Sequence, residues 1–152
     1  MLKVAVIGPE STGKTELCRK LAVHFHGEWV PELARDYVEQ MEYHYTCGDV
    51  WRIARLQIEQ EKKYERKTKP DYVNERLASR FFDFYMLCLP DIPWECDPVR
   101  ENGENRDFFL NWYENEIIDL GTPFARIGGT GEDRLQNALQ AVKIYETNHT
   151  NR

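Results

Sequence analysis

No apolar stretch in this chain approaches the roughly 20 residues that a membrane-spanning helix needs, so no membrane partner is expected. Positive charge is also short. Lys and Arg total 20 against 26 Asp and Glu, for a net charge of −6. Nothing global draws such a chain to nucleic acid, and any cation that meets a phosphate must act locally. Cysteine is scarce: Cys18, Cys47, Cys88 and Cys96 form no C-x-x-C pair, so a zinc site is not expected. Cys18 and Cys88 fall in apolar segments and read as small buried hydrophobes. The apolar run opens at Leu2, which leaves no signal peptide to expect ahead of it. A reducing cytoplasm is the expected setting. Repeats and low-complexity tracts are lacking too. What remains is an ordinary globular composition, 41% hydrophobic and 30% charged over 152 residues. It predicts one domain over residues 1–147 and a polar tail over 148–152.

Against that plain background, residues 8–15 stand out. They read Gly-Pro-Glu-Ser-Thr-Gly-Lys-Thr and fit G-x-x-x-x-G-K-[ST] at every fixed position. Leu2 to Ile7 ahead of them is a short apolar run of the buried parallel-strand type. Glu16 to His26 behind them carries Leu17, Leu21, Ala22 and Phe25 at helical spacing. Strand, glycine loop and helix together form a concave anion site from backbone N–H groups and a helix N-terminus. Phosphate, as carried by a nucleotide, is the expected guest, with Gly8, Glu10, Ser11, Thr12, Gly13, Lys14 and Thr15 forming its site. Lys14 would reach the β- and γ-phosphates, and the Thr15 hydroxyl would hold Mg²⁺.

The rest of the chain alternates strand and helix signals. Gly27–Val30 reads as a second strand broken by Pro31, and Glu32–Met41 as a short helix. A long charged helix runs from Gly48 to about Lys67, and Asp71–Arg80 suits another short one. Asp83–Leu89 is a buried strand, Asp107–Leu120 a helix ending at Gly121, and Thr122–Ile127 the last strand. Glu132–Tyr145 is the last helix, capped by Thr130 or Gly131. The fold class is therefore α/β: a three-layer P-loop NTPase with a parallel sheet between helices. One central strand is missing from the pattern. A strand ending in Asp, the second Mg²⁺ anchor, belongs beside the P-loop strand. No run of four apolar residues lies between Trp51 and Arg80 to supply it.

Three further places carry chemistry. Glu32, at the carboxyl end of the expected second strand, is placed to accept a proton from a substrate hydroxyl. Arg35 shares its helix face. A helix-start Glu paired with Arg35 would look the same. The segment 90–106 holds Asp91, Trp94, Asp97, Arg100 and Arg106; it reads as a solvated loop or as an arginine-bearing lid. Gly128–Gly131 either approaches an adenine ring, through Gly129 and Thr130, or is a plain turn.

Three segments resemble the kinase domain of NadR-type ribosylnicotinamide kinases. They are Val6–Thr15, Trp29-Val-Pro-Glu-Leu-Ala-Arg-Asp-Tyr37, and Tyr85-Met-Leu-Cys-Leu-Pro-Asp-Ile-Pro-Trp94 with Asp97-Pro-Val-Arg100. With Arg126–Leu139 they span nearly the whole chain in order. The resemblance implies a nucleoside-kinase-like fold, ATP with Mg²⁺, and phosphorylation of the 5′-hydroxyl of nicotinamide riboside to nicotinamide mononucleotide. It implies Lys14, Glu32, Arg100 and Arg106 as catalytic residues. It further implies Glu32, Arg35, Tyr37 and Trp94 as substrate contacts. The family's larger members carry adenylyltransferase and DNA-binding parts with no counterpart here. The family also has a strand ending in Asp-Thr, with a helical stretch, between the equivalents of Lys69 and Pro70. Either this sequence omits that stretch of the natural protein, or the deletion is real and Asp71, Asp91 or Asp97 would have to replace the missing Asp. A regulatory switch ATPase and a non-catalytic nucleotide-binding module are the competing readings. The exact nucleoside and the oligomeric state stay open at this level.

Overall fold

Three short apolar segments pair into a parallel sheet in the order β1 (Val4–Ile7), β2 (Phe84–Cys88), β3 (Phe124–Ile127). The computed structural model describes residues 2–41, 46–68, 82–94 and 103–149. They divide into two units, one of Met1–Gly27 with Arg80–Arg152 and one of Glu28–Ser79.

The larger unit holds the sheet. Val4 to Ile7 run opposite Phe84 to Leu87, and Tyr85 to Cys88 opposite Phe124 to Ile127. β2 is central, so both its faces are covered, and Met86, Leu87 and Cys88 all have 0% exposure. That is why its sequence is apolar throughout rather than alternating. On one face Phe84, Met86, Cys88 and Ile127 pack with Leu17 and Leu21 of α1 (Lys14–His24) and Ala138 and Val142 of α5 (Gly131–His149). The opposite face carries α4 (Arg106–Leu120), which touches β2 and buries Ile117. Helix, sheet and helix give the three layers expected. Asp83 joins the strands at their start: its carboxylate accepts from Lys3 N at 2.8 Å, and its own N–H donates to Lys3 O at 2.9 Å.

Two expectations need correction. Gly27–Val30 forms no ladder, so the sheet has three strands among the described residues instead of four. Four residues ending against a proline offer few hydrogen bonds, and Pro31 supplies no donor to extend them. The last helix runs on to His149, past Tyr145 and into the expected tail. Side chains bond back to its final carbonyls: Thr147 Oγ1 reaches Lys143 O and His149 Nδ1 reaches Tyr145 O, both at 2.8 Å. Helix C-termini are stabilised in this way. The missing strand between Lys69 and Pro70 and the short helix Asp71–Arg80 lie outside the described residues.

The smaller unit contains α2 (Leu33–Glu39) and α3 (Cys47–Thr68). Thr46 and Asp49 make a capping box at the start of α3. Asp49 Oδ2 accepts from Thr46 N at 2.8 Å, and Thr46 Oγ1 accepts from Asp49 N at 3.4 Å. The Thr46 amide and hydroxyl hold the Asp49 carboxyl below the usual carboxylate range. Tyr37 Oη donates to the same carboxylate at 3.3 Å, which ties α2 to α3. Gln57 brackets the chain entering α2: its Oε1 accepts from Leu33 N at 3.0 Å, and its Nε2 donates to Pro31 O at 3.3 Å.

Candidate functional site

Residues 8–13 close a tight loop between the carboxyl end of β1 and the first turn of α1. A Cβ on Gly8 would lie 2.6 Å from Cys88 O, so the loop leaves β1 pressed against the end of β2, and only glycine fits. Burial there pushes the Cys88 thiol pKa up, which makes it an inert packing group. Gly13 opens α1 at φ 70°, a left-handed conformation, and its carbonyl accepts the first helical bond from Leu17 N at 3.0 Å. Ser11 also sits at positive φ, 55°, a conformation uncommon outside glycine. The Pro9 carbonyl braces the interior. It accepts from Thr12 Oγ1 at 2.9 Å and from Lys14 Nζ at 2.7 Å. Lys14 thus lies across the loop, while Thr15 is exposed on the first turn of the helix.

A second set of bonds anchors this loop from behind. Arg134 on α5 is 3% exposed and bonds to four groups on three segments. Its Nη1 donates to Thr12 O at 2.6 Å, its Nε to Gly129 O at 2.7 Å, and its Nη2 to Leu89 O at 3.2 Å. Nη2 also ion-pairs with Asp91 Oδ1, while Asp91 Oδ2 accepts from Gly129 N at 2.6 Å. Beside the hub lies a shallow indentation of about 20 Å³, lined by Gly13, Glu16, Leu17, Lys20, Ile92, Gly131 and Arg134.

A family model described as an AAA domain matches residues 3–73, a span that begins with β1 and takes in the glycine loop and α1. No curated protein and no solved structure matches the chain. The fold is that of a P-loop NTPase. Its loop geometry fits a nucleotide's phosphates: Gly8 leaves room for close approach, α1 presents its N-terminus, and Lys14 and Thr15 stand at that turn. P-loop NTPase domains in general bind nucleotide with Mg²⁺. Here Lys14 would counter the phosphate charge and Thr15 would hold the metal.

The other expected residues fall as follows. Gly129 is on the hub, its N–H and carbonyl both engaged by Asp91 and Arg134, and Gly131 rather than Gly129 or Thr130 lines the indentation. Each Asp91 oxygen has one partner, Arg134 on Oδ1 and Gly129 N on Oδ2. Asp71, Asp97 and Arg100 lie outside the described residues. Among the described residues no group of three or more His, Cys, Asp or Glu side chains is placed to hold a metal ion. Arg106 opens α4 and donates Nη1 to Ile92 O at 2.7 Å, tying together the two ends of the segment that follows β2. The Trp94 indole N–H is buried with no hydrogen-bond partner among the described residues, an arrangement that costs free energy. Glu32, Arg35 and Tyr37 belong to the smaller unit. Without a second strand, Glu32 does not end one. It precedes α2 at the N-cap, exposed, with no side-chain capping bond. Arg35 lies within α2, and the Tyr37 hydroxyl is engaged by Asp49.

Sequence reasoning missed Arg134. The signal was present: Arg134, Ala138 and Val142 recur at four-residue spacing and share one buried face of α5. A charge at a core position of a helix asks for partners.

Proposed function

We propose that the chain is an ATP-dependent kinase that phosphorylates a nucleoside, nicotinamide riboside first among them, at its 5′-hydroxyl. The observation that carries this reading is the braced loop at residues 8–15, with Lys14 and Thr15 at the N-terminus of α1. Glu32 supports a kinase over a switch ATPase, because its carboxylate is exposed and uncommitted to the helix end it precedes. Mg·ATP supplies the phosphoryl group, with the metal neutralising its charge. Glu32 takes the proton of the nucleoside hydroxyl, Lys14 counters charge on the phosphates, and the Trp94 N–H offers a donor to the bound substrate. Arg100 serves as the arginine of the lid, whose base Arg106 closes through Ile92.

A binding-only module is the second reading. It is favoured by one observation: among the described residues no group of three or more His, Cys, Asp or Glu side chains is placed to hold a metal ion.

Transfer of labelled γ-phosphate to nicotinamide riboside tests the proposal. The wild type should form nicotinamide mononucleotide, and Glu32→Gln should cut kcat by about 10²-fold or more with ATP binding retained. Undiminished turnover in Glu32→Gln would refute its role. ATP hydrolysis with no transfer to any nucleoside would support the switch reading instead.

A further inference from the structure

Arg134 takes no part in the chemistry above, yet it is the one buried cation among the described residues. Its guanidinium has five N–H donors in a rigid fork, and the four bonds described engage groups on the P-loop, the start of the lid segment and the glycine turn. One of its contacts bears directly on nucleotide binding. By accepting at 2.6 Å, the Thr12 carbonyl fixes the plane of the Thr12–Gly13 peptide. That peptide is trans, so the Gly13 N–H lies in the same plane, antiparallel to the Thr12 C=O, and points away from Arg134. In a P-loop this amide is among those that cradle phosphate. The bonds to Leu89, Asp91 and Gly129 hold the far ends of β2 and β3 in the same frame.

We infer that Arg134 is a positioning residue for phosphate binding, orienting the Gly13 amide through the Thr12 carbonyl and joining the P-loop to the lid stem and glycine turn. The Asp91 carboxylate balances its charge, so the effect lies in geometry rather than in added positive potential. This rests on the P-loop as a phosphate site and is independent of which hydroxyl accepts the phosphoryl group.

The test uses Mg·ADP and the full chain labelled with ¹⁵N-glycine, whose nine glycines give a sparse spectrum. Arg134→Lys keeps the charge and loses the fork. Its Kd for Mg·ADP, measured by calorimetry per folded molecule, should rise by about tenfold or more, the scale of one hydrogen bond involving a charged group. The Gly13 amide should shift on ADP binding in the wild type and lose most of that shift in the variant. A merely structural role would lower the melting temperature and leave both readouts intact. If Arg134→Lys does not fold, Asp91→Asn carries the same test, since its one acceptor oxygen can meet only one of the two donors, Gly129 N or Arg134 Nη2, and so loosens the frame. A Kd within twofold of wild type, with the Gly13 shift kept, overturns the inference. Lys14→Ala separates the two levels. If it binds Mg·ADP as tightly as wild type, the phosphate-site reading has failed and this inference falls with it.

Discussion

The two units of this protein are held together by different means. In the larger one, stability comes from side chains taken wholly out of water: Met86, Leu87, Cys88, Ile117, Ile127 and Ala138 are at or within 1% of full burial. In the smaller one, the most buried residue named among those described is polar, Asp49 at 9% exposure, while Val50, Trp51, Leu56 and Ile58 remain exposed. Hydrogen bonds do the joining there. Gln57 and Gln60 both donate to Pro31 O, and Tyr37 and Thr46 converge on Asp49. Hydrophobic burial scales with area and is insensitive to orientation. Hydrogen bonds contribute less and depend on each partner. The phosphate loop therefore stands on a rigid, apolar base, and Glu32 and Arg35 stand on a unit fixed by polar staples.

Truncating one side chain in each unit breaks the comparison most sharply. Met86→Ala removes a fully buried side chain from the central strand and should cost about 2–5 kcal/mol of stability. Trp51→Ala removes a larger side chain that is 79% exposed, and should stay within about 0.5 kcal/mol of wild type. Urea melts of the two variants check both values. A Trp51→Ala loss equal to that of Met86→Ala would show the smaller unit to have an apolar core after all.

Acid sharpens the contrast with a smaller effect. The Asp49 pKa is lowered on folding, so its contribution is fully present above the unfolded value of about 3.9. That contribution fades as pH falls through the lower folded value. Between neutral pH and about pH 3, protection of the Asp49 and Val50 amides, which bond to Thr46 O, should decline. The decline should be absent in Asp49→Asn, whose protection at neutral pH starts lower. An equal acid response in the two proteins would remove Asp49 as the staple.

Much of this was legible in the chain because it is local. The P-loop shows itself by a change from strand-like to helical spacing across two glycines, and β2 by five apolar residues that need cover on both faces. Gly121 ends α4 as its place in the sequence suggests. What escaped is long-range. Gly27–Val30 has a strand's composition, but pairing depends on a neighbour that four residues cannot specify. Arg134 reads as one more surface charge until its spacing with Ala138 and Val142 is weighed, and its partners lie up to 122 residues away. The bonds from Asp91 to Arg134 and to Gly129 N cross about 40 residues of sequence and were equally hidden.

The central claim is that the loop at residues 8–15 grips a nucleotide's phosphates for transfer. Its most direct test is phosphoryl transfer from Mg·ATP to nicotinamide riboside by wild type and by Lys14→Ala, with melting curves run in parallel. The account predicts transfer by the wild type and a loss of about 10²-fold or more in a variant that melts normally. Lys14→Ala turning over at the wild-type rate would contradict it.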